Sequence, residues 1–302
     1  FYRFYNHLVM STQVNGNFDG DFPFRTTFPI GPEARQLESA PTLPALKPPL
    51  IRNPLVLGAR VASRMAWAGL GFVLYGLQLP AALLGRPEWA AQLMTLASAV
   101  ALRALGVQVV VDDSQPSENP GTPLVHIFNH RSPCDGLVIQ AVLKLPGLTT
   151  AQLHLKWVLP GYAAAARNAG SAVLDHRQPQ SRLAGLMSAS TLLRDHGEIM
   201  IAPNGSLVTP IEERVSSSAW MLAQHYGGSI VPWVFRYEGL EGAVGARYKP
   251  LRLLLRRLTA PLGTIHCRRG RSSDLKLPQD HRDRDGFSSA VQHYYREQQE
   301  SG

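Results

Sequence analysis

The pattern of apolar and polar positions divides the chain into three parts. Residues 1–54 are rich in proline and glycine, which prevents long helices and central strands, so an extended arm or linker is predicted there. Residues 55–105 are strongly apolar and are expected to form a membrane-associating segment. Residues 106–302 alternate short β-branched runs with helical stretches, which is typical of an α/β domain with, here, a basic C-terminal tail.

The apolar segment predicts two consecutive helices. No charged residue lies between Arg64 and Arg86, a length that can span the apolar core of a bilayer, about 30 Å thick. Pro80 is predicted to break the first helix, and a second helix follows from Glu88 to about Leu105. Two adjacent apolar helices favour a hairpin that lies in one leaflet of a membrane, and a buried helical pair packed on the following domain is the alternative.

The third part predicts a mostly parallel, twisted sheet flanked by helices. Its apolar β-branched runs predict five strands, at residues 107–111, 124–128, 172–174, 199–202 and 229–235. Helices are predicted between them at residues 136–145, 181–196 and 217–226. Such alternation implies an α/β fold with helices on both faces of the sheet. Pro232 favours an edge position or a bulge for the last of these strands.

Charge narrows the expected partners. The formal net charge is +8 and the pI is about 9.8, so an anionic partner is expected. Arginines recur among leucines in residues 252–257 and again in residues 268–271, where a solvated basic face is the ordinary interpretation. Next to an apolar hairpin, a membrane surface with anionic lipids is favoured. No RNA-binding aromatic motif accompanies the arginines, so no nucleic acid is expected.

The cysteines bear on the compartment. Cys134 and Cys267 are too few for a disulfide framework and form no Cys-x-x-Cys pair, which favours a reducing compartment. With the hairpin, this predicts a protein associated with the cytoplasmic face of a membrane. The sequence contains no phosphate loop, dinucleotide fingerprint or metal-ligand cluster, so neither a cofactor nor a metal is expected.

The candidate chemistry lies just after the strand at 124–128. Ser132 is a good N-cap and Pro133 suits the first helical position, which places His130 in a loop and Asp135 in the first turn of a helix. In that arrangement the two side chains can meet. A purely structural account is also open, in which Asp135 completes a capping box with Ser132 and complements the helix dipole.

Four short sequence blocks, each with polar or glycine and proline residues beside a predicted strand or helix, occur one after another along this part of the chain. The first block, Asn129-His130 with Asp135, is followed by a stretch with Lys156, Pro160-Gly161, Arg167 and Gly170, then by Ala202-Pro203-Asn204-Gly205-Ser206-Leu207, then by Ile230-Val231-Pro232. In order and spacing, residues 100–240 resemble the glycerolipid acyltransferase family, which includes 1-acylglycerol-3-phosphate acyltransferases. The apolar helices look like the membrane-binding hairpin of that family.

The resemblance implies an enzyme that moves an acyl group from acyl-CoA or acyl carrier protein to the hydroxyl of a lysolipid, with no cofactor. His130 would be the general base and Asp135 would orient its ring. Backbone N–H groups at the helix start, with Asn129 or Arg131, are expected to stabilise the oxyanion. The residues expected to contact substrate are Asn129, Arg131, Ser132, Lys156, Arg167, Gly170, His176, Arg177, Pro203, Asn204, Gly205, Ser206 and Pro232.

The chain departs from the family at the positions implicated in holding the acceptor's phosphate. In the third block Asn204 replaces a glutamate and Leu207 replaces an arginine. In the second block the family arginine aligns with His176, and Arg177 stands one position later. Leucine cannot donate to an anion, and histidine is a weaker, pH-dependent cation.

Three explanations of these departures are open. The acceptor lacks a phosphomonoester, or Arg177, Lys156 or Arg167 takes over the phosphate contact. In the third explanation the protein is a catalytically weak or inactive lipid-binding membrane protein on the same fold. Because the first block keeps its asparagine, histidine and aspartate, decay of the site is the least favoured of the three.

Overall fold

The structure is a computed structural model that describes residues 53–114, 121–150, 165–167, 171–174, 179–205, 210–240, 250–280 and 282–300. The predicted arm at residues 1–54 lies outside this part of the chain, apart from its last two residues.

Two antiparallel helices open the described chain. Helix α1 spans Pro54–Leu83 and helix α2 spans Pro87–Ala104. At roughly 45 Å, α1 is the one helix in the described residues that is long and apolar enough to cross a membrane, by length and composition. The predicted break at Pro80 is wrong, because one lost hydrogen bond in the last turn does not end a helix of this length. The helix ends instead before Gly85, whose φ of 70° suits glycine.

In the part of the chain that the structure describes, seven strands form two sheets. The strands are β1 Val107–Asp112, β2 Leu124–Phe128, β3 Leu148–Thr150, β4 Ala172–Leu174, β5 Glu198–Ile201, β6 Ser229–Glu238 and β7 Gly263–Arg269. The main sheet has the order β1-β7-β6-β2-β5, and only the β6–β7 pair in it is antiparallel. Strands β3 and β4 form a second, parallel two-stranded sheet. The prediction of a mostly parallel sheet is therefore confirmed.

Helices cover both faces of the main sheet. The remaining helices are α3 Asp135–Val138, which continues as a π-helical turn over Ile139–Leu143, α4 Pro179–His196, α5 Ser218–His225, α6 Pro250–Thr259, a 3₁₀ turn Ser272–Leu275 and α7 Arg284–Glu300. One core packs β2 and β5 against α5 and α7 around Trp220 and Phe287. The core on the other face contains Phe128, Trp233 and Phe235 together with Leu102 from α2.

Pro232 lies in a central strand, not at the edge that its residue type predicts. Strand β6 has β2 on one side and β7 on the other. The pairs between β6 and β7 begin only at Trp233↔Arg269, and the Pro232 carbonyl accepts from Gly270 N–H at 2.8 Å. The backbone carbonyl of Pro232 therefore points towards β7, at a level just beyond the end of that strand. A missing N–H costs no ladder hydrogen bond at such a position.

The basic segment after residue 250 is not a tail. It supplies α6 and then β7, which lies between β1 and β6 inside the main sheet. Arg257 is only 5% exposed, so it does not belong to a solvated basic face. Its guanidinium donates to the carbonyls of Leu105, Gly106, Gly239 and Pro261 at 2.8–3.2 Å. One arginine thus joins α2, β1, β6 and the end of α6.

Helix α1 is hydrogen-bonded to the end of α6. Arg64, 4% exposed, donates to the carbonyls of Arg257, Leu258 and Ala260, and Arg60 donates to Ala260 at 3.3 Å. The last carbonyls of a helix have no partner within the helix, so α1 supplies the donors that α6 lacks at its end.

Replacing Arg257 by methionine is expected to lower the free energy of unfolding by about 3 kcal/mol, because four carbonyls lose a charged donor. Urea denaturation in detergent micelles measures the change. The matched control is Arg256→Met on the same helix, where a change within about 0.5 kcal/mol is expected. Equal losses in the two variants would contradict the structural role of Arg257.

Candidate active site

The candidate site lies at the edge of the sheet where three parallel strands end. His130 follows β2, Asn204 follows β5, and Tyr237 is in the last residues of β6. Strands β5, β2 and β6 are neighbours and run in the same direction, so their carboxyl ends share one edge. Such an edge is where open α/β sheets usually place their functional groups.

His130 and Asp135 form the pair that the sequence predicts. His130 Nδ1 lies 2.9 Å from Asp135 Oδ2. The imidazole is 27% exposed, whereas the carboxylate is completely buried. A carboxylate that accepts from Nδ1–H fixes the tautomer and leaves Nε2 as a proton acceptor. The pair therefore has the geometry of a general base and its orienting carboxylate.

One carboxylate serves both of the roles that the sequence left open. Asp135 Oδ2 also accepts from the backbone N–H groups of Arg131 and Ser132, both at 3.0 Å. Ser132 Oγ in turn accepts from Cys134 N–H at 3.2 Å. The bond from Ser132 N–H to Asp135 is the carboxylate half of a capping box, whereas Asp135 N–H donates to the Ser132 carbonyl and not to its hydroxyl. Regular helix begins only at Asp135 and not at Pro133 as predicted. The structural and the catalytic interpretations therefore coexist.

The same bonds correct one expectation about the oxyanion. The N–H groups of Arg131, Ser132 and Cys134 already donate within the loop, so the helix start does not present them to a substrate. Asn129 is engaged as well, because its carboxamide donates to Phe235 O at 2.8 Å and accepts from Phe235 N–H at 2.7 Å. The side chain of Asn129 thus extends the β2–β6 ladder by one step.

Tyr237 is the site residue that the sequence analysis missed. Its hydroxyl donates to Asp135 Oδ1 at 2.9 Å, opposite the oxygen that faces His130. Burial raises the pKa of Tyr237 well above its usual value, and the nearby Asp135 charge raises it further, so the phenol stays a donor. The sequence placed the end of this strand at residue 235. A strand that continued to Glu238 would have brought Tyr237 to the same edge as His130.

The comparisons with known proteins agree with this geometry. Residues 107–236 match the sequence family described as Acyltransferase. The stretch from β1 to β6, which carries the candidate site, therefore matches an acyltransferase family. Its fold is similar to the crystal structure of the 1-acyl-sn-glycerophosphate (LPA) acyltransferase PlsC from Thermotoga maritima, with a TM-score of 0.50 and 16% identity over 80% of this chain and 96% of that one. Among curated proteins, no sequence matches this chain.

Asn204 occupies the position where the glycerolipid acyltransferases usually have a glutamate. Its Nδ2 donates to the backbone carbonyl of His130 at 2.9 Å, and its side chain is buried. A glutamate has no N–H to give to that carbonyl. In this chain, the loop after β5 therefore holds the loop after β2 through a neutral donor.

The other predicted site residues are distributed as follows. Pro203 is buried, Gly205 is exposed with φ 62°, Arg131 is half-buried beside His130, and Arg167 is exposed. Pro232 is buried within β6. The predictions for Lys156, Gly170, His176, Arg177 and Ser206 fall outside the described residues.

The two thiols do not offer a nucleophile. Burial raises the pKa of Cys134 to about 12, and it raises the pKa of Cys267 to about 12 as well. A thiol with such a pKa is protonated near neutral pH and reacts slowly. Among the described residues, no group of three His, Cys, Asp or Glu side chains could hold a metal ion.

Asn204→Asp is expected to lower the free energy of unfolding by about 2 kcal/mol, because it removes a buried donor and places an anion against the His130 carbonyl. Urea denaturation measures the loss. Asn53→Asp is the matched control, since Asn53 uses its side-chain oxygen to accept from Leu55 N–H and aspartate keeps that oxygen. A loss at position 53 as large as that at position 204 would argue against the assigned hydrogen bond.

Proposed function

We propose that this protein transfers a fatty acyl group from an acyl thioester to the hydroxyl of a lysolipid. The observation that carries the proposal is the contact of 2.9 Å between a partly exposed His130 and a completely buried Asp135, at the sheet edge of an acyltransferase-family domain. The name of the structurally similar PlsC, which acts on a 1-acyl-sn-glycerophosphate, supports a lysolipid acceptor.

The reaction requires one base and no protein nucleophile. An alcohol is a poor nucleophile near neutral pH, so His130 Nε2 takes the hydroxyl proton as the oxygen attacks the thioester carbonyl. A C–O bond forms, the C–S bond breaks, and the departing thiolate receives the proton from the imidazolium. Asp135 holds the ring and stabilises its positive charge while the proton resides there.

The Arg131 guanidinium is the donor that we assign to the tetrahedral oxyanion. Of the groups that the sequence suggested, the helix-start N–H groups and the Asn129 carboxamide are engaged within the protein. Arg131 adjoins His130 in the chain and is half-buried. A guanidinium that reaches the reacting carbonyl stabilises the charge that develops on its oxygen.

The acceptor is the finer part of the proposal. Neither Leu207 nor His176 can replace the arginines that the family uses for a phosphomonoester. We therefore propose a lysolipid whose phosphate is capped or missing, with a lysophosphatidate held by Arg177, Lys156 or Arg167 as the second possibility. The acyl donor is acyl-CoA or acyl carrier protein, both of which are anionic and suit a chain of net charge +8.

The direct test offers acyl-CoA or acyl carrier protein to purified protein, with a panel of lysolipids with and without a phosphomonoester. Transfer is expected to at least one lysolipid that lacks the phosphomonoester. His130→Ala is expected to lower turnover by about 10⁴-fold, because it removes the base.

Other results of this assay would overturn particular parts of the proposed function. Transfer to lysophosphatidate alone would overturn the altered acceptor and leave acyl transfer standing. Silence with every donor and acceptor would replace the enzyme by the alternative of a catalytically weak or inactive lipid-binding membrane protein. Unchanged turnover in His130→Ala would overturn the assignment of His130 as the base.

We also propose that the α1–α2 hairpin binds a membrane. The two charged residues of α1, Arg60 and Arg64, are both turned onto the end of α6. The rest of its surface is left uncharged and carries exposed apolar side chains: Leu55, Val56, Met65, Leu70, Phe72, Val73, Leu77 and Leu83. At the turn, the Arg86 guanidinium stacks on the exposed Trp89 ring, 5.5 Å from its centroid. Tryptophan and arginine suit the boundary between lipid and water.

The net positive charge favours a leaflet with anionic lipids. The two thiols are free in the structure, which is compatible with a reducing environment, so we place the domain on the cytoplasmic face.

Phe72→Asp/Val73→Asp is expected to weaken binding to phosphatidylcholine–phosphatidylglycerol vesicles by about tenfold or more, because both side chains are more than half exposed on α1. Cosedimentation measures the bound fraction. The matched control is Val110→Asp/Val111→Asp on the exposed edge strand β1, which should bind as the parent does. A parent protein that stays in the supernatant, or equal losses in both variants, would contradict the membrane role of the hairpin.

A further inference from the structure

Asp135 accepts more hydrogen bonds than a histidine-orienting carboxylate needs. Oδ2 accepts from His130 Nδ1 and from the N–H groups of Arg131 and Ser132. Oδ1, on the other side of the carboxylate, accepts from the Tyr237 hydroxyl at 2.9 Å. Since the carboxylate is completely buried, each oxygen requires a donor from the protein. The loop satisfies one oxygen, and β6 satisfies the other.

We propose that Tyr237 is a positioning residue for acyl transfer, acting on His130 through Asp135. This inference rests on the proposed function. Tyr237 does not touch the imidazole in the contacts described above, so its effect passes through the carboxylate. By occupying Oδ1, the phenol sets the rotation of the carboxylate about its Cβ–Cγ bond and keeps Oδ2 directed at Nδ1.

The position of Tyr237 is itself fixed on three sides. Its ring packs against the core that contains Phe128, Trp233 and Phe235. Two residues before it, the backbone of Phe235 is paired with the Asn129 carboxamide. Two residues after it, the Gly239 carbonyl accepts from the buried Arg257 at 2.9 Å. A donor held this firmly can constrain its acceptor, which is what a supporting group in an active site requires.

The phenol is a hydrogen-bond donor near neutral pH. Burial and the adjacent carboxylate both raise the pKa of Tyr237, so it does not ionise near neutral pH. The hydroxyl also lies 3.3 Å from the carbonyl of Asn129, the residue just before His130 in the chain. One side chain therefore touches both the buried carboxylate and the end of β2 that carries the base.

The test compares Tyr237→Phe with Tyr295→Phe. Each substitution removes one buried hydroxyl and leaves the ring. Tyr295 donates to the carbonyls of Ile127 and Trp233 at 3.1 and 3.0 Å, in the same sheet but without contact to Asp135. Tyr295 lies on α7, so the control reports the general effect of losing a tyrosine hydroxyl that binds this sheet.

Tyr237→Phe is expected to lower kcat about tenfold with KM unchanged, because the base is misaligned while substrate contacts remain. Tyr295→Phe is expected to keep the kcat and KM of the parent. A kcat of Tyr237→Phe equal to that of Tyr295→Phe would overturn the proposal, while loss of activity in His130→Ala would still support acyl transfer.

A second measurement does not depend on the substrate. The Nδ1 proton of His130 is followed by NMR in histidine-labelled protein and is assigned by its disappearance in His130→Ala. Loss of the Tyr237 donor lets the carboxylate rotate and weakens the hydrogen bond from Nδ1–H to Oδ2, so this resonance is expected to move upfield in Tyr237→Phe and to stay unchanged in Tyr295→Phe. An unchanged resonance in Tyr237→Phe would overturn the inference, even if no acceptor lipid were found and the proposed function itself had failed.

Discussion

The burial of the Asp135 carboxylate is the constraint on which the site depends. A completely buried anion is stable only when the protein surrounds it with donors. The loop after β2 turns two of its N–H groups and the His130 imidazole towards one oxygen, and Tyr237 reaches the other from β6. The local course of the chain at the helix start and the orientation of the His130 ring are therefore consequences of one electrostatic requirement.

Strand β6 connects the buried Asp135 carboxylate to the rest of the sheet. It pairs with β2 through a regular ladder, which the Asn129 carboxamide continues by one step beyond Phe128. It pairs with β7 on the other side, and the Gly239 carbonyl just after its end accepts a hydrogen bond from Arg257. The neutral amide of Asn204 adds a further tie from the loop after β5 to His130. The three loops at this edge are thus joined by side chains that bind backbone groups.

Buried arginines connect the α1–α2 hairpin to the α/β domain. Arg64 on α1 donates to the end of α6, and Arg257 on α6 donates to the junction of α2 with β1 and to the end of β6. Both guanidiniums satisfy helix-end or loop carbonyls, which have no partner within their own elements. This arrangement also explains why α1 has so apolar a surface, since its only two charges are used internally. The apolar hairpin and the α/β domain thereby share one framework of hydrogen bonds.

Local sequence alone determined much of this protein. The strands at 124–128 and 172–174 have the predicted bounds, and Gly197 ends the helix before β5 as expected, because these signals act over a few neighbouring residues. The pairing of His130 with Asp135 was also predictable from the helix-start residues between them. Tertiary structure alone decided the roles of Tyr237, Asn129 and Arg257, each of which binds a group at least 100 residues away in sequence. It also decided the placement of Pro232, because a strand's neighbours in a sheet are set by long-range pairing that residue type does not encode.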